Sequence, residues 1–272
     1  MVCLGRAGVF WGFFMKYVLH KIIFVCLCLF FTLGNAKSHE KKFFPISTLE
    51  NKVSCEKINM FAEKICLSLG ITKPELSVFV VDKKRDEYNA IAGVLVKDSK
   101  KYGVALGALL LKKWEQGWLT DQEIEALLAH ELCHVKNKHV IKSKRINNVV
   151  SYLRYVSGIV PVVSVSCAIV QNAYNRKQEK EADLGAIELI SDPLDLARAI
   201  VKVELLMEKD PATREQFDML FATRFENIEK SRGTLTRDLV ELFSDHPDTR
   251  KRIKYLVKHA VQKTAQASVP AK

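Results

Sequence analysis

The sequence lacks three features, each of which is typical of a common class of protein. Its seven cysteines are spaced neither as a zinc ribbon nor as a disulfide framework. Its two main uncharged apolar stretches, 22–33 and 155–170, have 12 and 16 residues, which is short of the ~20 residues that a membrane-spanning helix needs. No internal repeat is visible. These absences favour one ordinary domain over a disulfide-rich, membrane-embedded or repeat protein.

Acidic residues are absent from residues 1–36, and this segment is typical of a targeting signal. Basic residues precede the apolar run 22–33, and Gly34-Asn35-Ala36 then offers a small-x-small cleavage site. We predict a signal peptide over 1–36 and export to a bacterial periplasm. The alternative is an uncleaved anchor in the inner membrane. The domain proper is predicted over 37–263, and the small, polar residues 264–272 are predicted to be a disordered tail.

The formal net charge is +11, but the basic residues are scattered along the chain in short clusters. A solvated basic surface explains this pattern better than a nucleic-acid interface, and no nucleic-acid partner is predicted. The apolar stretch 149–170 contains Arg154 and Pro161. We expect it to be a buried helix or a segment that contacts a membrane surface, with a true membrane span as the less favoured alternative.

The motif with the clearest chemistry is His130-Glu131-Leu132-Cys133-His134, an HExxH sequence. Thr120 and Glu123 predict a capping box at the start of a helix that carries the motif to about His139. On that helix His130 and His134 share one face and can bind one metal ion, while Glu131 can reach a metal-bound water. Cys133 is expected to serve packing.

A hydrolytic zinc site needs a third protein ligand. The metzincin pattern requires Gly at position 137 and His at position 140, where this chain has Asn137 and Val140. On a continuous helix His139 points away from the ligand face, so it is expected to be partly exposed or to support a ligand from behind. The remaining candidates are carboxylates in the stretch 179–183.

Within that stretch Glu179 and Asp183 are four residues apart and share a helix face. Glu179 can bind the metal while Asp183 accepts a hydrogen bond from the outer nitrogen of a ligand histidine. Glu181 points elsewhere and is expected to be solvated. Spacing alone does not choose between Glu179 and Glu181 as the ligand.

The chain resembles a known family in four motifs that occur in the family's order. They are the HExxH motif, the stretch 176–185 around Glu179, the strands at 89–92 and 103–107, and His246-Pro247 with Arg252-Ile253. On these residues the chain is similar to the gluzincin peptidases of the HtpX, Ste24 and Oma type, peptidase family M48. It is most similar to members with a signal peptide and no transmembrane core. Ile91 and Cys133 depart mildly from the family's usual residues.

The resemblance implies a role for each candidate residue. His130, His134 and Glu179 are expected to bind one Zn²⁺ per chain, with Glu131 as the catalytic base. His246 is a candidate donor to the developing oxyanion. An equally open interpretation is that it is only a helix N-terminal residue before Pro247. Behind the ligands, the supporting residues are expected to be Asp183 and Arg252, with Arg252 orienting the turn at His246. A polypeptide substrate is expected to bind by strand addition along Asn89, Ala90 and Ala92.

We therefore predict an α+β, mostly helical, zincin-like metallopeptidase domain with a small sheet beside the HExxH helix. The other elements expected from pattern are an extended lead-in at 37–52, a helix at 54–69, and strands at 76–81, 88–96 and 102–106. The predicted function is zinc-dependent cleavage of misfolded envelope proteins. One rival is a weakly active or self-inhibited relative that acts as a chaperone or assembly factor for outer-membrane proteins. The other is a membrane-embedded protease.

Overall fold

Four strands form one mixed sheet in the computed structural model, which describes residues 41–81, 87–94, 102–156, 161–209, 211–230 and 248–267. They are β1 (Lys41–Pro45), β2 (Glu75–Val81), β3 (Ala90–Val94) and β4 (Tyr102–Gly107). The order across the sheet is β1-β2-β4-β3. β2 and β4 are parallel, while β1 and β3 run antiparallel to their neighbours. β3 is therefore an edge strand among the described residues.

The sheet contains the three predicted strands and one more. The lead-in at Lys41–Pro45 pairs with β2 as a second edge strand, because Phe43 packs against the fully buried Phe79 with ring centroids 6.1 Å apart. β3 is shorter than predicted, since it begins at Ala90. The predicted α+β class, mostly helical with a small sheet, is confirmed.

Eight α-helices follow or flank the sheet in the described part of the chain. They are α1 (Lys52–Leu69), α2 (Ala108–Glu115), α3 (Asp121–Lys136), α4 (His139–Val156), α5 (Pro161–Leu189), α6 (Pro193–Lys209), α7 (Arg214–Lys230) and α8 (Thr249–Ala267). The capping residues of α1 explain where this helix begins and ends. Asn51 accepts hydrogen bonds from the backbone N–H groups of Val53 and Ser54, and Gly70 ends the helix at φ 61°.

The HExxH helix α3 lies at the centre of the hydrophobic core. It packs against α1, α5, α6 and β3, and its side chains Ile124, Leu128 and Leu132 are fully buried. Truncating one such leucine to alanine typically costs about 2–5 kcal/mol of stability. The predicted capping box of Thr120 and Glu123 is present and fixes where the helix begins. A rigid, central helix is a suitable base for a metal site.

The single helix predicted from about 121 to 139 is wrong at its C-terminal end. α3 ends at Lys136, and a new helix begins at His139. The turn between them is made by Asn137 and by Lys138, which has a positive φ of 56° without being glycine. This conformation is uncommon for a residue with a Cβ atom, and no glycine or proline in the sequence marks the break.

The apolar stretch 149–170 is divided between two helices. Residues 149–156 end α4, and Pro161 begins α5, where its missing N–H costs no intrahelical hydrogen bond. The expectation of a buried helix fails for Val149, Tyr152 and Leu153, whose side chains are exposed. Among the residues described, none of the helices combines the length and the apolar character needed to cross a membrane.

Several predicted features lie outside the described residues: the segment 1–36, His246, and the final residues 268–272. α8 extends to Ala267, so its last four residues lie within the predicted tail 264–272.

Candidate metal centre

His130 and His134 point their Nε2 atoms at a common position beside α3. The two Nε2 atoms are 3.1 Å apart. Glu179 on α5 completes the group. Its Oε2 lies 3.5 Å from His130 Nε2, and its Oε1 lies 3.5 Å from His134 Nε2. The structure thus brings together the three residues that the sequence nominates as ligands, and it places Glu179 rather than Glu181 at this point.

The geometry of the three donors suits a tetrahedral metal ion. Ligand atoms at zinc distances of ~2.0–2.1 Å in a tetrahedron lie roughly 3.3 Å from one another. The two Nε2 atoms are 3.1 Å apart, and each of them lies 3.5 Å from a different carboxylate oxygen of Glu179. The three side chains could hold one ion between them. Two neutral imidazoles and one carboxylate are a donor set that zinc accepts, and they leave a fourth position open.

Close packing of two helices brings Glu179 to α3. Gly185 on α5 lies against Cys133 on α3, and a Cβ atom at position 185 would come 2.9 Å from Cys133 Sγ. A larger residue at position 185 would therefore require the Cys133 side chain or the helices to shift. Cys133 is a free, buried thiol, and burial raises its pKa to about 12. The thiol is therefore protonated and serves packing, as predicted.

Asp183 supports His130 from behind. It is fully buried, and its Oδ1 lies 2.8 Å from His130 Nδ1. Arg252 on α8 makes a bidentate ion pair with the same carboxylate, at 2.9 Å from Nε and 2.7 Å from Nη2. The hydroxyl of Tyr255 also donates to it. Burial is the largest single influence and would raise the pKa of Asp183, but the charges and hydrogen bonds of Arg252 and His130 together outweigh burial and lower the pKa to about 2.

Arg252 lies behind the ligands, as a supporting residue should: its guanidinium binds Asp183 and lies 3.6 Å from Glu179 Oε2. Its predicted contact with the turn at His246 falls on residues outside those that the structure describes. Arg252 thus joins α8 to two carboxylates of α5, those of Glu179 and Asp183. Tyr255 was missed because a tyrosine one turn beyond an arginine is an ordinary feature of a helix.

His139 lies behind His134. It is buried, with 2% of its surface exposed, and its Nδ1 is 3.0 Å from His134 Nδ1. Its Nε2 is 3.2 Å from Glu181 Oε2. Of the two expectations for His139, partial exposure is wrong, and a supporting position behind a ligand matches the contacts. Glu181, expected to be solvated, is half-exposed but reaches His139.

Glu131 follows the first ligand and faces the same cleft. Only 8% of its surface is exposed, and burial raises the pKa of its carboxyl to about 7. The charge of His130 and the backbone N–H of Ala92 act in the opposite direction. A carboxylate with this pKa can take up and release a proton near neutral pH.

The cleft above the donors has a volume of about 940 Å³. β3 forms one wall. The carbonyl of Asn89 accepts from the N–H of Gly107 at 2.9 Å, so in this antiparallel pair the N–H and C=O groups of Ala90 and Ala92 point away from β4, toward the free edge. The side chain of Asn89 is exposed and accepts from the N–H of Ala90 at 2.9 Å. Asn89 therefore directly precedes β3 and lines the cleft as well.

Comparison with known proteins agrees with this geometry. The model of Peptidase family M48 matches residues 54–260. A protease HtpX homolog of Bacteroides fragilis is 24% identical over 89% of this chain and 79% of its own length. Protease HtpX homologs of Polynucleobacter necessarius and Pyrococcus furiosus are each 25% identical, over 69% and 75% of this chain and over 68% and 74% of their own lengths. No solved structure matches the chain.

Proposed function

The chain belongs to peptidase family M48 and is a protease, and we propose that it is a zinc-dependent endopeptidase whose catalytic base is Glu131. One observation carries the proposal. His130, His134 and Glu179 converge within 3.5 Å of one another, in a cleft that also holds a buried carboxyl group and the free edge of a strand.

The chemistry divides between the ion and the protein. Bound by the three donors, zinc supplies a Lewis acid that activates water and polarises the scissile carbonyl. Glu131 accepts a proton from the attacking water and delivers it to the leaving amine. The carboxylate of Asp183, 2.8 Å from Nδ1 of His130, favours a proton on that nitrogen, which leaves Nε2 of the ring free for the metal.

The edge of β3 is the proposed substrate-binding strand. An extended peptide that pairs with the outward N–H and C=O groups of Ala90 and Ala92 adds a strand to the sheet. Because the N–H of Ala92 donates to Glu131, a peptide on this edge lies next to the catalytic base, and Glu131 must release that N–H for the peptide to pair with it. Asn89 must release the N–H of Ala90 for the pairing to extend to that residue.

His246 remains the proposed donor to the oxyanion. Its support comes from α8, because Thr249, three residues after His246, lines the cleft. A positive or hydrogen-bonding group at this end of the cleft would stabilise the charge that develops on the scissile carbonyl.

The proposed substrates are misfolded proteins of the bacterial envelope, reached by export through the segment 1–36. Fractionation of cells that express the protein tests this location. A cleaved soluble product that begins at Lys37 supports export, and an uncleaved product in the membrane fraction supports the anchored alternative.

The α4–α5 hairpin is proposed to contact an anionic membrane surface. The exposed side chains of Val149, Tyr152 and Leu153 share one face of α4 with the basic residues Lys142 and Arg145, a pattern that suits apolar insertion with electrostatic attraction. Co-sedimentation with phosphatidylglycerol vesicles tests this contact.

In that experiment a Tyr152→Ser, Leu153→Ser double variant should lose vesicle binding. A Leu67→Ser variant, at an exposed apolar residue of α1, serves as the control and should bind like the parent. Equal sedimentation of the double variant and the parent contradicts the contact.

The metal proposal is tested by zinc analysis and proteolysis of an unfolded protein. The purified chain should carry one zinc ion per molecule, lose proteolysis on treatment with a chelator, and regain it with zinc. A pure chaperone would suppress aggregation equally with and without zinc. Proteolysis that continues after complete removal of the metal contradicts the proposal.

A further inference from the structure

We propose that His139 and Glu181 form a hydrogen-bonded chain that positions His134 and holds it in the tautomer that metal binding requires. The inference rests on the proposed metal site of His130, His134 and Glu179. It adds to that site a positioning residue on α4 and a carboxylate on α5 that do not touch the ion.

The two contacts fix where every proton in the chain lies. A metal at His134 Nε2 requires that nitrogen to be unprotonated, so the proton is on Nδ1. His134 Nδ1 is 3.0 Å from His139 Nδ1, which must therefore accept. The proton of His139 is then on Nε2, which lies 3.2 Å from Glu181 Oε2 and donates to it. Each nitrogen and the carboxylate have a compatible partner in this one arrangement.

The backbone places His139 for this contact. On a continuous helix, a residue five positions after His134 points away from the ligand face. The positive φ of Lys138, 56°, breaks the helix and returns His139 to the back of His134. Conformations of this kind cost on the order of 1 kcal/mol or more for a residue with a Cβ atom. The fold keeps this strained turn at the point where it orients a metal ligand.

Gln178 fastens the start of α4 to α5. It is buried, its Nε2 donates to the carbonyl of His139 at 3.4 Å, and its Oε1 accepts from the hydroxyl of Ser143 at 2.7 Å. The side chain of Glu181 comes from the same helix, one turn further on. α5 therefore supplies the metal ligand Glu179, the clamp on α4 and the end of the chain behind His134.

An ordinary packed histidine is the competing explanation for His139. Packing alone gives no reason for a carboxylate that is 45% exposed to lie against the ring. Glu181 also lies 3.8 Å from Lys177 Nζ, but that lysine side chain is 73% exposed, and exposed ion pairs contribute little. The two explanations rank substitutions differently, which makes them separable.

The experiment measures zinc affinity by competition with a chromophoric chelator, in full-length His139→Phe, His139→Asn and Glu181→Gln variants. Removing such a supporting partner typically weakens metal binding about 10- to 100-fold. We expect that loss for His139→Phe and a smaller loss for Glu181→Gln. His139→Asn should fall between the parent and His139→Phe, because its amide oxygen can still accept from His134 Nδ1.

A packing role predicts the reverse order for the two His139 variants, since phenylalanine fills the site better than asparagine. The Co²⁺-substituted protein gives a second readout, because a misoriented His134 changes the ligand-field spectrum. Glu188→Gln, an exposed carboxylate two turns further along α5, is the matched control and should leave both readouts unchanged. If His139→Phe fails to fold, Glu181→Gln decides the matter at an exposed position.

The outcomes separate this inference from the proposed function. Suppose that His134→Ala loses zinc while Glu181→Gln and both His139 variants bind it like the parent. The hydrogen-bonded chain of His139 and Glu181 then plays no part in metal binding, and the proposed metal site stands. If the parent binds no zinc, or His134→Ala binds it equally well, the proposed metal site fails and this inference fails with it. Weakened binding in Glu181→Gln, with Glu188→Gln unchanged, supports the inference.

Discussion

The two histidines of the HExxH helix are held from behind in opposite ways. His130 contacts Asp183, a fully buried carboxylate that is neutralised by Arg252. His134 contacts the neutral ring of His139, which leads to the half-exposed Glu181. One support belongs to the core, and the other reaches solvent.

The difference between the two supports indicates which part of the site tolerates substitution. A buried ion pair is costly to break, because the remaining partner keeps its charge without compensation. The hydrogen-bonded chain behind His134 ends at a half-exposed carboxylate, so water can replace that carboxylate as a partner when it is removed. We therefore expect substitutions near His130 to affect folding and metal binding together, and those near His134 to affect metal binding more selectively.

The largest effect is expected from Asp183→Asn. This change leaves the guanidinium of Arg252 with only the carboxylate of Glu179, at 3.6 Å, as a counter-charge, and it removes the negative charge beside His130 Nδ1. Breaking such a pair from one side typically costs about 3–5 kcal/mol, and the free energy of unfolding measured with urea should fall by that amount. A Glu181→Gln variant measured in parallel should lose less than about 1 kcal/mol. Equal losses for the two variants contradict the comparison.

A smaller effect is expected from Tyr255→Phe, which removes only the hydroxyl that donates to Asp183. A hydrogen bond to a charged group is worth about 1.5–3 kcal/mol, and the unfolding free energy should decrease within that range. Chelator competition should show a modest loss of zinc affinity. An unchanged unfolding curve would show that the Asp183 cluster is held by Arg252 alone.

Substitutions in the strained turn before His139, at Lys138, test the support of His134. Lys138→Val should lower the free energy of unfolding by about 1–2 kcal/mol, because a β-branched residue is poorly tolerated at positive φ. Lys138→Gly should keep the parent's stability and zinc affinity, since glycine adopts this conformation without strain. Equal thermal stability of the two variants would indicate that the turn does not hold its positive φ in solution.

The fold and the ligands could be predicted where the signal is local. The spacing of His130 and His134, the capping box at Thr120 and the buried, β-branched strands each follow from a few neighbouring residues. Asp183 behind His130 was also accessible, because a four-residue spacing from Glu179 defines a shared helix face.

What could not be predicted depends on contacts between distant elements. The break at Lys138 carries no glycine or proline signal, so the sequence could not choose between an exposed His139 and one that supports a ligand from behind. The bidentate contact of Arg252 with Asp183 joins residues 69 positions apart, and no local pattern reports it. β1 was read as an extended lead-in because its pairing with β2 depends on Phe43 meeting Phe79.

The most direct test of the central claim is the zinc content and proteolytic rate of Glu131→Gln, with Glu188→Gln as the surface control. The substitution keeps the size of the side chain and removes the base without touching a ligand. We predict one zinc ion per chain, as in the parent, and cleavage of an unfolded protein slower by on the order of 100-fold or more. Parent-like cleavage by this variant, or loss of its zinc, would contradict the account.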